Sequence, residues 1–362
     1  MTTITDQARN VREEDAFDIA KADAFLKQHI DGLEGTPAVK QFPGGASNLT
    51  YLLGYANREL VLRRPPRGAK ARSAHDMMRE ARVMAALKRD YPYVPTILAR
   101  CDDEAVIGQD FYVMERLRGT ILRRDLPAEL HLDADGVRRL CIAFVDRLIE
   151  LHRVDVTQPA LKELGRGEGY IARQVSGWSE RWRQAATKGS DPCDDIIAWL
   201  EHEQSAKDNA SCVIQNDFRF DNVVLAPDNP QHIIGVLDWE LATIGDPLMD
   251  LGSSLAYWVQ ADDDAVFQSF RRQPTHEPGM FTRREVVAYY GERTGMDVSR
   301  WRFYEVFGLF RLMVIIQQIY RRFALGQTTN PQFAGFGDAA TYMGMRCRRL
   351  MAAKECPCAS CC

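Results

Sequence analysis

Apolar residues recur along the chain with two periods, and the change between them divides it. Within residues 13–30, Phe17, Ile19, Ala20, Phe25, Leu26 and Ile30 fall at helical spacing and predict an amphipathic leading helix. From Thr36 to Tyr55 alternation takes over: VKQF, a turn at Pro43-Gly44-Gly45, then LTYLLGY. ELVLR, Glu59 to Arg63, predicts a third strand that Pro65, Pro66 and Gly68 terminate. Ser73 to Leu87 returns to helical spacing, with Met77, Ala81, Met84 and Leu87 on one face, and VPTILA and DFYVMERL predict two more strands. After Gly119 the pattern is helical: Gly136–His152, 170–186, 192–207, Val286–Gly291, Trp301–Ala324 and Phe336–Ala353. A hairpin-like stretch at 212–240 interrupts it. The expectation is an α+β chain of two lobes: a leading helix and small β-rich N-lobe over 1–117, a hinge near Glu115–Gly119, and a larger helical C-lobe over 118–353.

Bulk composition narrows the function classes. A chain of 362 residues exceeds one ordinary core, and 46% hydrophobic with 27% charged residues describes a globular protein. A net charge of −4 gives no electrostatic footing for a nucleic-acid partner. No uninterrupted apolar run reaches the ~18 residues of a membrane span, so no membrane partner is expected. The opening MTTITDQARNVREED has no apolar secretory core, so a cytoplasmic location is expected. Of nine cysteines, Cys101, Cys141, Cys193, Cys212 and Cys347 read as reduced packing residues. Cys356, Cys358, Cys361 and Cys362 crowd a 354–362 tail, expected to be disordered and oxidation-prone rather than a metal site.

The chemistry concentrates in QNDFRFDN and the VLDWE that follows. Phosphoryl transfer from ATP needs a carboxylate to orient the attacking hydroxyl, plus an amide and a second carboxylate to hold magnesium. Asp217 supplies the first, and Asn222 with Asp238 the metal pair, in the order that kinase-like folds use. Asn222 and Asp238 offer hard oxygen ligands of the kind Mg2+ prefers. Glu240 would share a strand face with Asp238 if the strand continued. In FPGGASNLTYLL, Gly44 and Gly45 permit close backbone approach to phosphates, with Ser47 and Asn48 as polar groups. Arg63 stands where a nucleotide-binding lysine is expected, Glu80 on the next helix is its natural partner, and Glu115 marks the junction where adenine would be read. His152 is given no catalytic role, and Asp221, Asp246 and Asp250 read as structural, with Asp246 or Asp250 able to brace the catalytic loop.

QNDFRFDN together with VLDWELATIGDPLMDLG resembles the paired motifs of aminoglycoside-phosphotransferase-like kinases, usually written HGDxxxxN and DWE. VLRRPP, AHDMMREARVMAAL, GYIARQVSGW, TRREVVAYYGERTG and FYEVFGLFRLMVIIQQIYRRFALGQT resemble the branch that also occurs fused to acyl-CoA dehydrogenases. The resemblance implies a bilobal protein-kinase-like fold and an ATP- and Mg2+-dependent O-phosphotransferase with a hydroxyacyl-CoA acceptor. It implies the catalytic aspartate at Asp217, metal ligands at Asn222 and Asp238, and a nucleotide ion pair at Arg63 and Glu80. Two departures stand out: Gln215-Asn216 replaces His-Gly, and Arg63 replaces lysine. Gln215 can support the loop through its amide, and Asn216 tolerates the left-handed conformation that glycine would supply. They keep a second class in play, a nucleotide-binding pseudokinase that scaffolds an acyl-CoA enzyme. A third, an aminoglycoside kinase, would need an acidic pocket such as Asp262, Asp263 and Asp264. Acceptor specificity is expected from 170–182 and 301–320, where Tyr170, Gln174, Trp178 and Arg311 mix aromatic and basic groups, with Arg321 just beyond.

Overall fold

Short polar caps and alternating apolar positions set the element boundaries in this computed structural model, which describes residues 8–43, 48–66 and 76–353. Gly44, Gly45, Ser47 and the cysteine-rich tail lie outside the described residues. In chain order the first elements are α1 (Ile19–His29), β1 (Ala38–Gln41), β2 (Leu49–Gly54), β3 (Glu59–Arg64), α2 (Met77–Leu87), β4 (Ile97–Cys101), α3 (Glu104–Ile107) and β5 (Phe111–Glu115). Next come α4 (Ala134–His152), α5 (Pro159–Lys162), α6 (Tyr170–Ala185), α7 (Asp194–Glu203), β6 (Cys212–Ile214), β7 (Val223–Leu225) and β8 (Ile233–Val236). The last are α8 (Pro247–Leu255), α9 (Ala265–Ser269), α10 (Arg283–Thr294), α11 (Trp301–Ala324) and α12 (Phe336–Ala352). They gather into two units that exchange chain: Met1–Gly165, Arg219–Ile244 and Arg272–Met280 in one, Arg166–Phe218, Gly245–Arg271 and Phe281–Cys362 in the other. Helix α4, expected with the helical lobe, therefore packs with the sheet-bearing unit.

The first unit is built on an antiparallel sheet of order β1-β2-β3-β5-β4. Leu49, Tyr51 and Leu53 alternate inward along β2 and meet Ala22 and Leu26 of α1. The predicted 13–30 helix is shorter than expected, because the Asp18 side chain accepts from the Lys21 amide and starts α1 at Ile19. Glu13–Asp15 form only a 3-10 turn, where buried Asp15 takes hydrogen bonds from Arg12 and Gln41. Arg64 is fully buried against Tyr51, Gln109 and the Asp15 carbonyl, so the two consecutive arginines of β3 serve opposite faces. The hairpin of β7 and β8 packs on α4, with Phe144 stacked on Phe220.

In the second unit α11 is the central helix, against α8, α12, α6 and α7. It closes on α8 at Gly252 and Gly308, where a Cβ on Gly308 would overlap the Gly252 carbonyl. By length and composition α11 does reach what a membrane span needs, with a mean hydropathy of 1.2, but 72% of that window is buried inside the protein. Its apolarity is that of a core helix. Cys101, Cys141, Cys193, Cys212 and Cys347 are all buried, as packing residues would be.

Asp263 anchors α10 to α12, accepting from Arg283 at 2.6 Å and Arg346 at 2.5 Å. Burial alone would raise its pKa, but the two guanidiniums and the Gln260 amide hold it below the usual carboxylate range. Asp263→Ala is expected to cost about 3 kcal/mol in denaturant unfolding at neutral pH, because two half-buried cations lose their shared anion and keep only the longer contacts to Glu305 and Asp264. A folded-state pKa below the unfolded value stabilises above about pH 3.9, and that contribution disappears as pH falls through the lowered value. The variant should lack this acid-limb slope.

Candidate active site

A cavity of about 340 Å3 opens within the first unit, lined among others by Val61, Arg63, Met114, Leu117, Asn222 and Asp238. Arg63 extends from near the end of β3 as a fork: Nη1 donates to Glu80 Oε1 at 2.6 Å and Nη2 to Asp238 Oδ1 at 3.2 Å. Glu80 is 1% exposed and also accepts from the Trp239 amide at 3.2 Å. Burial works against Arg63's charge, but Glu80 and Asp238 more than restore it and hold the guanidinium firmly protonated. Burial likewise pushes Glu80 above the usual carboxylate range, with Arg63 drawing it back. The expected pairing of Arg63 with Glu80 is present, and Glu80 does not engage its helix neighbours instead.

Asn222 and Asp238 meet because the Leu237 amide donates to the Asn222 carbonyl at 2.7 Å. Asp238 has φ +64°, a left-handed backbone that ends the β8 alternation. Glu240 therefore does not continue a strand face with Asp238, contrary to the sequence expectation, and its carboxylate instead accepts from Asn48 Nδ2 at 2.8 Å. Asn48 itself is buried and does not line the cavity. Gly44, Gly45 and Ser47, the rest of that predicted turn, lie outside the described residues. Glu115 does line the cavity, at the end of a strand internal to the sheet, with its carboxylate turned to Thr96 and Lys88. Burial would raise its pKa, but those partners keep it low. Asp221 also faces the cavity, paired with Arg219 at 3.3 Å, and burial raises its pKa. Arg79 had no sequence signal beyond a helix charge, yet it holds the Glu240 and Ala242 carbonyls and so fixes the DWE segment against α2.

The loop carrying Asp217 belongs to the second unit, following β6. The Asp250 carboxylate accepts from the Gln215 and Asn216 amides at 3.0 and 2.7 Å, and Gln215 Oε1 accepts from the Asp217 amide at 2.7 Å. Three successive amides are thus satisfied by side chains, with Asp250 the loop brace and Gln215 acting through its amide. Asp246, fully buried, caps α8 and holds Asn209. His152 is buried at the end of α4. Asn216 adopts φ +66°, the conformation glycine would otherwise supply. Asn216→Gly should melt within about 1 kcal/mol of the parent, whereas Asn216→Val should lose about 1–3 kcal/mol from backbone strain, read by thermal unfolding. Arg311 of α11 donates to the Asn216 carbonyl at 2.9 Å, and Tyr170 OH to Asn216 Oδ1 at 3.3 Å.

Comparison with known proteins names the class. Residues 38–286 match the model of the phosphotransferase enzyme family, and the chain belongs to that family. Acyl-CoA dehydrogenase family member 10 of Mus musculus is 34% identical over 84% of this chain and 29% of its own length. Family member 11 of Rattus norvegicus is 31% identical over 90% of this chain and 42% of its own. The chain thus spans less than half of these relatives. Among solved structures, a candidate aminoglycoside phosphotransferase from Ralstonia eutropha superimposes with a TM-score of 0.79 at 28% identity, covering 94% of this chain and all of that one. An aminoglycoside phosphotransferase in complex with AMP-PNP and hygromycin B gives a TM-score of 0.56 at 14% identity, over 92% of this chain and all of that one. The protein is a member of the phosphotransferase enzyme family with a kinase-like α+β fold, sheet-bearing toward the N-terminus and helical toward the C-terminus.

Proposed function

We propose that the protein transfers the γ-phosphoryl group of ATP, with magnesium, to a hydroxyl of a small organic acceptor, a hydroxyacyl-CoA. The observation that carries this reading is the Arg63 fork, which joins Glu80 and Asp238 at the wall of the cavity that Asn222 also lines. A cation held at fixed orientation beside a cavity is what polyphosphate binding requires. The donor set fits magnesium: an amide oxygen and a carboxylate, with no cluster of three or more His, Cys, Asp or Glu among the described residues that would form a self-sufficient metal cage. Magnesium keeps several waters and binds through one or two protein oxygens plus phosphates. Asn222 and Asp238 would hold it, and when bound it neutralises charge on the phosphate oxygens. Asp217 orients the acceptor hydroxyl and takes its proton, and Glu115 marks the adenine side of the cavity.

Two things support an acyl-CoA acceptor over an antibiotic. The relatives carry acyl-CoA dehydrogenase in their names. Two of the three acids that a polycationic drug would need are engaged elsewhere: Asp263 by Arg283 and Arg346, Asp264 by Tyr342 and the α9 amides. The test is mass detection of phosphorylated product from magnesium-ATP with 3-, 4- and 5-hydroxyacyl-CoAs and aminoglycosides. Product from an acyl-CoA sustains the proposal. ATP binding without transfer to any acceptor would instead indicate a pseudokinase.

A further inference from the structure

Behind the Asp217 loop, α6 and α11 bring two guanidiniums onto one indole. The Arg181 guanidinium carbon lies 4.6 Å from the Trp178 ring centroid and that of Arg311 lies 5.2 Å from it. Trp178 is fixed in place by donating from Nε1 to Gln174 at 3.1 Å. Arg311 is 6% exposed, yet among the described residues neither it nor Arg181 forms an ion pair with any carboxylate. Asp250, the acid beneath the same loop, is engaged by the Gln215 and Asn216 amides. Three other arginines of this unit are matched by acids: Arg283 and Arg346 share Asp263, and Arg348 takes Asp191 and Asp195. A buried cation without an anion is costly, and an indole face returns only a small part of that cost. Partial burial and the charge of Arg311 both lower the proton affinity of Arg181, as expected of two cations held together without a counter-ion.

We propose that Arg181 and Arg311, seated on Trp178, bind an anionic group of the phosphoryl acceptor, a carboxylate or a phosphate. This rests on the phosphotransferase reading and deepens it to an acceptor class. Arg311 also holds the carbonyl of Asn216, the residue before Asp217, so an anion taken by this pair is positioned from the loop itself. The same charge repels polycationic acceptors.

The experiment compares one 4-hydroxyacyl group in three forms: the CoA thioester, the free carboxylate and the uncharged pantetheine thioester. Arg181 is exposed, so Arg181→Ala and Arg181→Glu should fold normally. The ratio of kcat/KM for anionic over uncharged acceptor should fall about 10-fold in Arg181→Ala and further in Arg181→Glu. The exposed neighbour Arg183→Ala should leave the ratio unchanged. Loss confined to the CoA form identifies phosphate as the bound group, and loss confined to the free acid identifies carboxylate. Equal loss for the uncharged thioester, or no loss, overturns the proposal. Calorimetric titration with coenzyme A and with the free 4-hydroxy acid reads binding without turnover. Binding weakened by Arg181→Glu and by 0.5 M salt sustains the anion site even if no acceptor is phosphorylated. Absent binding, or binding indifferent to the variant, overturns it.

Discussion

Asp217→Asn should lower phosphoryl transfer by about 10²–10⁴-fold while leaving folding and nucleotide affinity near those of the parent. The size follows from the role proposed: an amide accepts a hydrogen bond from the acceptor hydroxyl but cannot take its proton at neutral pH. That the variant should fold follows from how the loop is held. The amides of Gln215, Asn216 and Asp217 are satisfied by Asp250 and by Gln215 Oε1, and none of these bonds uses the Asp217 carboxylate. Single-turnover rates, melting temperature and fluorescent-nucleotide titration would be compared. Unchanged turnover would remove Asp217 from the chemistry. Lost stability would move it into the fold.

Breaking the Arg63–Glu80 pair should have the second-largest effect, and it should be visible without any acceptor. Glu80→Ala removes the nearer and more buried of two anions from a guanidinium whose side chain is only 12% exposed, and it leaves the Trp239 amide without that partner. Removing one member of a buried pair costs about 3–5 kcal/mol, chiefly through the charge left behind. Replacing both, as Arg63→Met with Glu80→Leu, should recover much of that stability because neither buried charge remains and Asp238, which also loses Arg63, is 35% exposed. Nucleotide affinity should stay lost in the double variant, since the phosphate-facing cation is gone. Urea unfolding paired with nucleotide titration separates the two effects. If the double variant bound nucleotide like the parent, Arg63 would be a structural cation only.

Much of this was legible in the sequence because local chemistry determined it. The alternation of Leu49, Tyr51 and Leu53 and the runs around Leu60 and Phe111 located the strands, and Asp-x4-Asn with the later Asp238 located the polar residues. What stayed hidden depends on neighbours distant in sequence. Strand β5 inserts between β3 and β4, an order that no periodicity encodes. Adjacent Arg63 and Arg64 look equivalent on paper, but the pleat sends one to the cavity and the other into the core against Tyr51. Glu240 was misplaced because one left-handed residue, Asp238, cancels the two-residue alternation. Short α8 gave little periodicity to find, although Asp246-Pro247 is a sound helix start.

The glycine contact between α8 and α11 has a consequence for how this protein can change over time. Helix α8 carries Asp250, which grips the loop by its amides, and α11 carries Arg311, which grips it by a carbonyl. Their spacing is set where Gly308 meets the Gly252 backbone, not by side chains that repack when a core residue is exchanged. The two grips therefore stay in register while residues on the outer face of α6 are free to vary. Such a protein can change what its surface binds by substitution there and keep the Asp217 loop unaltered, so long as both glycines remain.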